Sequence, residues 1–131
     1  LTGAVVVTTP QDIALIDAKK GLRMFQKVNV PILGIIENMS VFICPHCGEV
    51  EHIFGEGGAK RMSEQYGVPL LGALSAKIRE QADSGLPTVA AEPDGKEALM
   101  YREMAMKGAG ALARITKDYT AKMPGIRVVN D

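Results

Sequence analysis

The sequence predicts an α/β fold: a mostly parallel sheet flanked by helices, with a small β-hairpin carrying both cysteines inserted into it. Three observations predict this. Gly3-Ala4-Val5-Val6-Val7-Thr8-Thr9 is a continuous apolar run, the pattern of a parallel strand buried on both faces. A helical stretch and a second apolar run, Ile32-Leu33-Gly34-Ile35-Ile36, follow it, completing a βαβ unit whose strands must run parallel. The rhythm then breaks at Val41-Phe42-Ile43, which leads into Cys44-Pro45-His46-Cys47-Gly48 before alternating residues return.

Each element has a local cause. Thr9 is suited to an N-cap, Pro10 to the first helical position and Asp12 to the capping partner, so the first helix is expected from there to about Val28. Leu15, Ala18, Leu22 and Phe25 share one stripe of it. Asn29-Val30-Pro31 stops it, because proline keeps the preceding residue out of helical backbone. The second strand delivers Glu37-Asn38-Met39-Ser40 to the carboxyl edge of the sheet, where α/β folds gather ligands.

The hairpin insert is expected over residues 41–54. Gly55-Glu56-Gly57-Gly58 then reads as a hinge, with anion binding through backbone N–H groups as the competing use. A helix to Tyr66 follows, with Met62 and Tyr66 on one face and Gly67 as its stop. Residues 68–74 form a third strand, 77–82 a short helix and 88–91 a short extended piece. The last helix, about 96–116, presents Leu99, Met106, Gly110 and Ala113 as its apolar stripe. Residues 119–131 show no period and form a loosely attached tail.

Composition narrows the function. The chain has 131 residues, the length of one domain, and 15 basic residues balance 15 acidic ones. That disfavours a nucleic-acid partner held by a basic face. No apolar run is long enough to span a membrane, and no secretory signal is visible, so the expected location is cytoplasmic. With no Trp, three Tyr and three Phe, the core must rest on aliphatic residues and methionine. There is no G-x-x-x-x-G-K-[ST] phosphate loop, no G-x-S-x-G and no H-E-x-x-H. No catalytic residue can be assigned. Gly108-Ala109-Gly110 fits a dinucleotide pattern only loosely, because no strand precedes it. It reads instead as small residues for close helix packing.

Cys44 and Cys47 are the strongest chemical signal. Two cysteines three apart can aim both sulfurs at one metal. A tetrahedral zinc or a cubane cluster needs four ligands, and the chain has no further cysteine. His46 and His52 could complete a zinc knuckle, giving a non-enzymatic interaction module. Two chains could each donate a pair across a two-fold axis. The pair could also work as a redox disulfide, or stand unliganded on a loop. Asn38, at the end of a strand, suits hydrogen bonding to a base edge or to its own backbone in a turn.

Taken in order, Val6-Val7-Thr8-Thr9-Pro10-Gln11-Asp12, Gly34-Ile35-Ile36-Glu37-Asn38-Met39-Ser40, the Cys44 and Cys47 pair, and Ile53-Phe54-Gly55-Glu56-Gly57-Gly58 resemble the Mrp/Nbp35 family. These are P-loop ATPases that carry iron–sulfur clusters. Ile78-Arg79-Glu80 and Asp83-Ser84-Gly85-Leu86-Pro87 extend the likeness, which covers about residues 3 to 118. The resemblance implies a doubly wound, P-loop NTPase-like sheet, with residues 1–118 as the carboxyl-terminal half of the ATPase domain. It implies that Cys44 and Cys47 hold a [4Fe-4S] cluster bridging a homodimer, and that the cluster passes to apo-proteins. It implies that Asn38 reads adenine, with ATP and Mg²⁺ as the control in the full-length protein.

Two departures accompany the likeness. The family's Walker A loop, switch segments and Mg²⁺ ligands lie upstream of the matched region, so these residues alone are expected not to hydrolyse ATP. The stretch Gly72-Ala73-Leu74-Ser75-Ala76-Lys77 is shorter than the family's Gly-x-Ile-Pro-Leu-Asp loop and lacks its proline. A sheet cut in this way would leave apolar surface exposed, and the isolated chain is expected to be marginal or prone to aggregate.

Overall fold

The fold was determined as a computed structural model, which describes residues 1–115. The tail expected at residues 119–131 lies outside the described residues. The elements run β1 (Ala4–Thr8), α1 (Asp12–Lys27), β2 (Ile32–Ile43), β3 (Val50–Glu51), α2 (Gly58–Tyr66), β4 (Leu70–Ser75), α3 (Ile78–Asp83), α4 (Thr88–Ala91) and α5 (Lys96–Ala113). β2 is central. It pairs in parallel with β1 on one side and β4 on the other, and its far end pairs antiparallel with β3.

Helices cover both faces of the sheet. α1 and α2 close one face, over Val6, Leu15, Leu22, Ile35, Ala59, Met62 and Val68. α5 lies across β4 and the adjacent part of β2 and packs its Met104 with Leu71, Leu74 and Ile78. Ile35 and Ile36 point to opposite layers, so the apolar run on β2 is packed from both sides. Gly34 and Gly72 allow close packing: a Cβ on Gly34 would meet the Leu71 side chain, and one on Gly72 would meet Met104.

Several expectations are corrected. Among the described residues, β1 is covered on one face only. Val6 and Thr8 are buried, whereas Val5 and Val7 are exposed, because the α5 layer sits over β4 and β2 rather than β1. α1 starts at Asp12, with Gln11 extended at the cap position, and neither Thr9 nor Gln11 caps the helix with its side chain. The Thr9 hydroxyl instead donates to Gln11 Oε1 at 3.3 Å, and Pro10 is drawn into the joint with α2, where Gly58 packs against it.

β2 does not end within Glu37–Ser40 but runs on to Ile43. Residues 88–91 are a helical turn rather than extended, because the Pro87 carbonyl accepts the N–H groups of Ala90 and Ala91. On α5, Ala98 and Met104 face inward while Leu99 and Met106 are exposed, Met106 to 75%. Met104 fits the space left by Gly72, and that fit sets the rotation of the helix. Gly108 and Gly110 have no described neighbour within 4 Å of a Cβ position, so they are not close-packing contacts here.

Candidate functional site

The carboxyl end of β2 is built around an irregularity. Glu37 pairs with Ala73 on β4, but the next pairing is Val41 with Ser75, so residues 38–40 bulge out of the ladder. Met39 takes a left-handed backbone, φ 54°. Asn38 makes this tolerable by accepting the Met39 N–H on Oδ1 at 2.9 Å. Asn38 therefore serves its own turn, and it also borders an open depression of ≈ 470 Å³ with Val7, Thr8, Thr9 and Asp17. The structure thus places it within a strand at a bulge rather than at the strand's end.

Beyond the bulge, Phe42 pairs with Glu51 and Ile43 with Val50, and residues 44–49 turn between them. This ladder is much shorter than the 41–54 insert expected from sequence. The Cys44 N–H is bonded to the Glu49 carbonyl and the Gly48 N–H to the Cys44 carbonyl, both at 2.9 Å, and Gly48 has the positive φ that closes the turn.

Both cysteines are free thiols. Cys44 is half-buried and Cys47 exposed. The Cys47 backbone N–H, followed by the His46 N–H and the Cys47 side chain, holds the Cys44 thiol below the ordinary cysteine value, against burial and the Glu51 carboxylate. The turn therefore favours the thiolate, the form that binds metal. An apolar groove of ≈ 310 Å³ opens beside it, lined by Met39, Phe42, Pro45, Ile53 and Phe54, with Arg79 of α3 at its rim.

The histidines do not join the cysteines. His46 is exposed on the turn, and the His52 ring donates from Nδ1 to the Ser40 carbonyl at 3.2 Å. Among the described residues, no group of three or more His, Cys, Asp or Glu side chains stands ready to hold a metal ion. The donor set described in one chain is therefore two thiols, half of what a four-ligand centre requires.

The glycine loop is not an open hinge. Gly55 and Gly57 have φ of 97° and 68°, and a Cβ on Gly58 would lie 2.8 Å from the Pro10 carbonyl oxygen. The backbone anion site at the start of α2 is served from within, because Glu37 Oε2 accepts the Ala59 N–H at 2.8 Å. Sequence reasoning passed over Glu37 and Ser40. The available signal was a carboxylate standing directly after Gly34-Ile35-Ile36, where an apolar strand leaves no solvent for it.

Comparison with known proteins gives a consistent result. The profile described as "ParA: NUBPL iron-transfer P-loop NTPase" matches residues 1–108. The chain is 55% identical over 108 residues to the iron-sulfur cluster carrier protein of Pseudomonas fragi, covering 81% of this chain and 38% of that one. It is 56% identical over 114 residues to the iron-sulfur cluster carrier protein of Escherichia coli K12, covering 86% and 31%. The chain thus spans about a third of the length of the curated relatives it matches. Among solved structures, the septum site-determining protein MinD of Pyrococcus horikoshii, complexed with Mg-ADP, superposes with a TM-score of 0.61 at 27% identity, covering 87% of this chain and 45% of that one.

Proposed function

Since the chain belongs to the NUBPL iron-transfer P-loop NTPase family, we propose that it carries an iron–sulfur cluster on Cys44 and Cys47 and hands it to apo-proteins. One observation carries the reading: two accessible free thiols, three residues apart, on a turn whose backbone N–H groups favour the thiolate. Two thiolates are half of a four-cysteine ligand set, and we take the cluster to be [4Fe-4S], the type that the resemblance to the Mrp/Nbp35 family implies, shared between two copies in a homodimer. A site at such an interface is open to an acceptor's cysteines once the copies part. Thiol ligands of this kind need a reducing compartment, and we take that compartment to be the cytoplasm. No described helix is long and apolar enough to cross a membrane. Nucleotide belongs to the same proposal. Asn38 would face adenine from the depression it borders, and Mg-ATP would control transfer where a phosphate-binding loop stands beside this half of the sheet.

The test is anaerobic reconstitution of the chain with ferrous iron and sulfide. The expected result is broad visible absorbance and about two irons per chain, with the protein running as a dimer. Changing Cys44→Ser and Cys47→Ser together should abolish iron uptake. Iron content unchanged in that double variant would overturn the proposal. So would one zinc per chain, retained after anaerobic purification and lost in His52→Ala.

A further inference from the structure

Glu37 is a carboxylate on the central strand of the sheet, only 5% exposed, paired with Thr8 on one side and Ala73 on the other. A buried carboxylate is tolerated only when its oxygens are hydrogen-bonded. Here each oxygen has a different task. Oε2 accepts the Ala59 N–H at 2.8 Å, near the start of α2, where the cap residue Gly57 offers no side chain. Oε1 accepts the Ser40 hydroxyl at 2.6 Å and so fixes the far side of the bulge. The Ser40 carbonyl in turn accepts the His52 Nδ1–H at 3.2 Å. His52 directly follows the two-pair ladder that carries the cysteine turn. One line of contacts therefore runs from the N-terminus of α2, through the middle of the sheet, to the chain leaving the turn.

We propose that Glu37, Ser40 and His52 are positioning residues for the cysteine turn. Glu37 locks the bulge and α2 together from inside the sheet, and His52 ties the returning chain to the last carbonyl of the bulge. This proposal rests on the cluster-carrying reading of Cys44 and Cys47. Ligand turns hold their geometry through such supporting contacts, and losing one typically costs about 10–100-fold in metal affinity or activity. A ladder of two residue pairs cannot set the direction of the turn alone, because little else on that arm is buried: Ile43, Val50 and Ile53 are all exposed.

The experiment uses the 131-residue chain and four variants. His52→Asn puts an amide N–H close to the position of Nδ1, whereas His52→Gln puts it closer to that of Nε2. His52→Ala has neither, and Glu37→Gln turns one acceptor oxygen into a donor. In the iron-free chain, hydrogen exchange at the Cys44 and Gly48 amides should stay near wild type in His52→Asn and rise up to about tenfold, the effect of one lost hydrogen bond, in His52→Gln and His52→Ala. Glu37→Gln should accelerate the same amides and that of Ala59. After reconstitution with ferrous iron and sulfide, cluster loss should follow the same order. Equal exchange in all three His52 variants, or rescue by Gln rather than Asn, would overturn the relay. If the wild-type chain takes up no iron, the cluster reading falls and the assignment of a positioning role in cluster binding falls with it. The amide pattern in the iron-free chain would then decide separately whether the contacts hold the turn.

Discussion

The layer beneath α1 and α2 and the turn bearing Cys44 and Cys47 are held by opposite means. In the first, Leu22, Ile35 and Met62 are fully buried and fit without polar help. In the second, Ile43, Val50 and Ile53 stay exposed, and the turn hangs on two ladder pairs, its internal backbone bonds and His52. Burial is strong but directionless, whereas hydrogen bonds are individually weak but set angles. On the proposed reading, the chemistry sits on the part with least burial because a cargo that must leave needs accessible ligands. The price is a turn that has to be aimed by polar contacts.

The largest effect should come from cutting into the first region. Leu22→Ala removes a fully buried side chain between α1 and β2 and should cost about 2–5 kcal/mol of unfolding free energy. Denaturant titration checks this, provided the chain unfolds in one transition. Cys44→Ser with Cys47→Ser, both outside that core, should stay within about 0.5 kcal/mol of wild type. If the cysteine variant lost as much as Leu22→Ala, the division between the two regions would be wrong.

Gly58→Ala probes the joint between them and should rank second. The added methyl would lie 2.7 Å from Leu15 Cδ1 and 2.8 Å from the Pro10 carbonyl oxygen. The side chain can shift, but the backbone oxygen cannot easily do so, and overpacking of this kind costs about 1–3 kcal/mol. A neutral result by the same titration would restore the flexible joint that the glycine-rich sequence suggests.

How far these regions could be read in the sequence follows the same division. The βαβ unit, the Leu15 and Leu22 stripe, the Met62 face and the Gly67 stop all come from local periodicity and local backbone chemistry, and the structure has them. The inward face of α5 was not readable. Apolar residues lie all around that helix, and Gly72, on a different element, selects Met104 over Met106. The one-sided covering of β1 was equally hidden, since a run of valines has no period. In the site, the cysteine spacing was plain, but Glu37 was not, because its partner Ala59 lies 22 residues away. A carboxylate in an apolar strand marks a contact without naming its partner.

The β1 face gives a smaller contrast. Val7 is 58% exposed, so Val7→Thr should change stability by no more than about 0.5 kcal/mol. A larger loss in the same titration would show that this face is covered in solution, for example by a second copy, and would sharpen the question of what the sheet packs against.

The smallest effect, and the one most specific to the turn, is electrostatic. Hydrogen bonds from the Cys47 and His46 backbone, with the Cys47 side chain, favour the Cys44 thiolate over the thiol. Because the folded value is lowered, the turn's preference for the thiolate is fully present above the ordinary thiol range and is lost as pH falls through the lowered value. In Cys47→Ser, which leaves both backbone donors in place, alkylation of Cys44 by iodoacetamide should reach half its limiting rate below about pH 8.5, the ordinary cysteine midpoint. Unfolding the same variant in denaturant should move the midpoint back up to that value. A folded midpoint at or above the ordinary one would mean that the turn does not prepare its sulfur, and the comparison would then rest on exposure alone. A lowered midpoint in Cys47→Ser that persisted in His52→Ala would show that the thiolate preference belongs to the turn's own backbone, separate from the contacts that aim it.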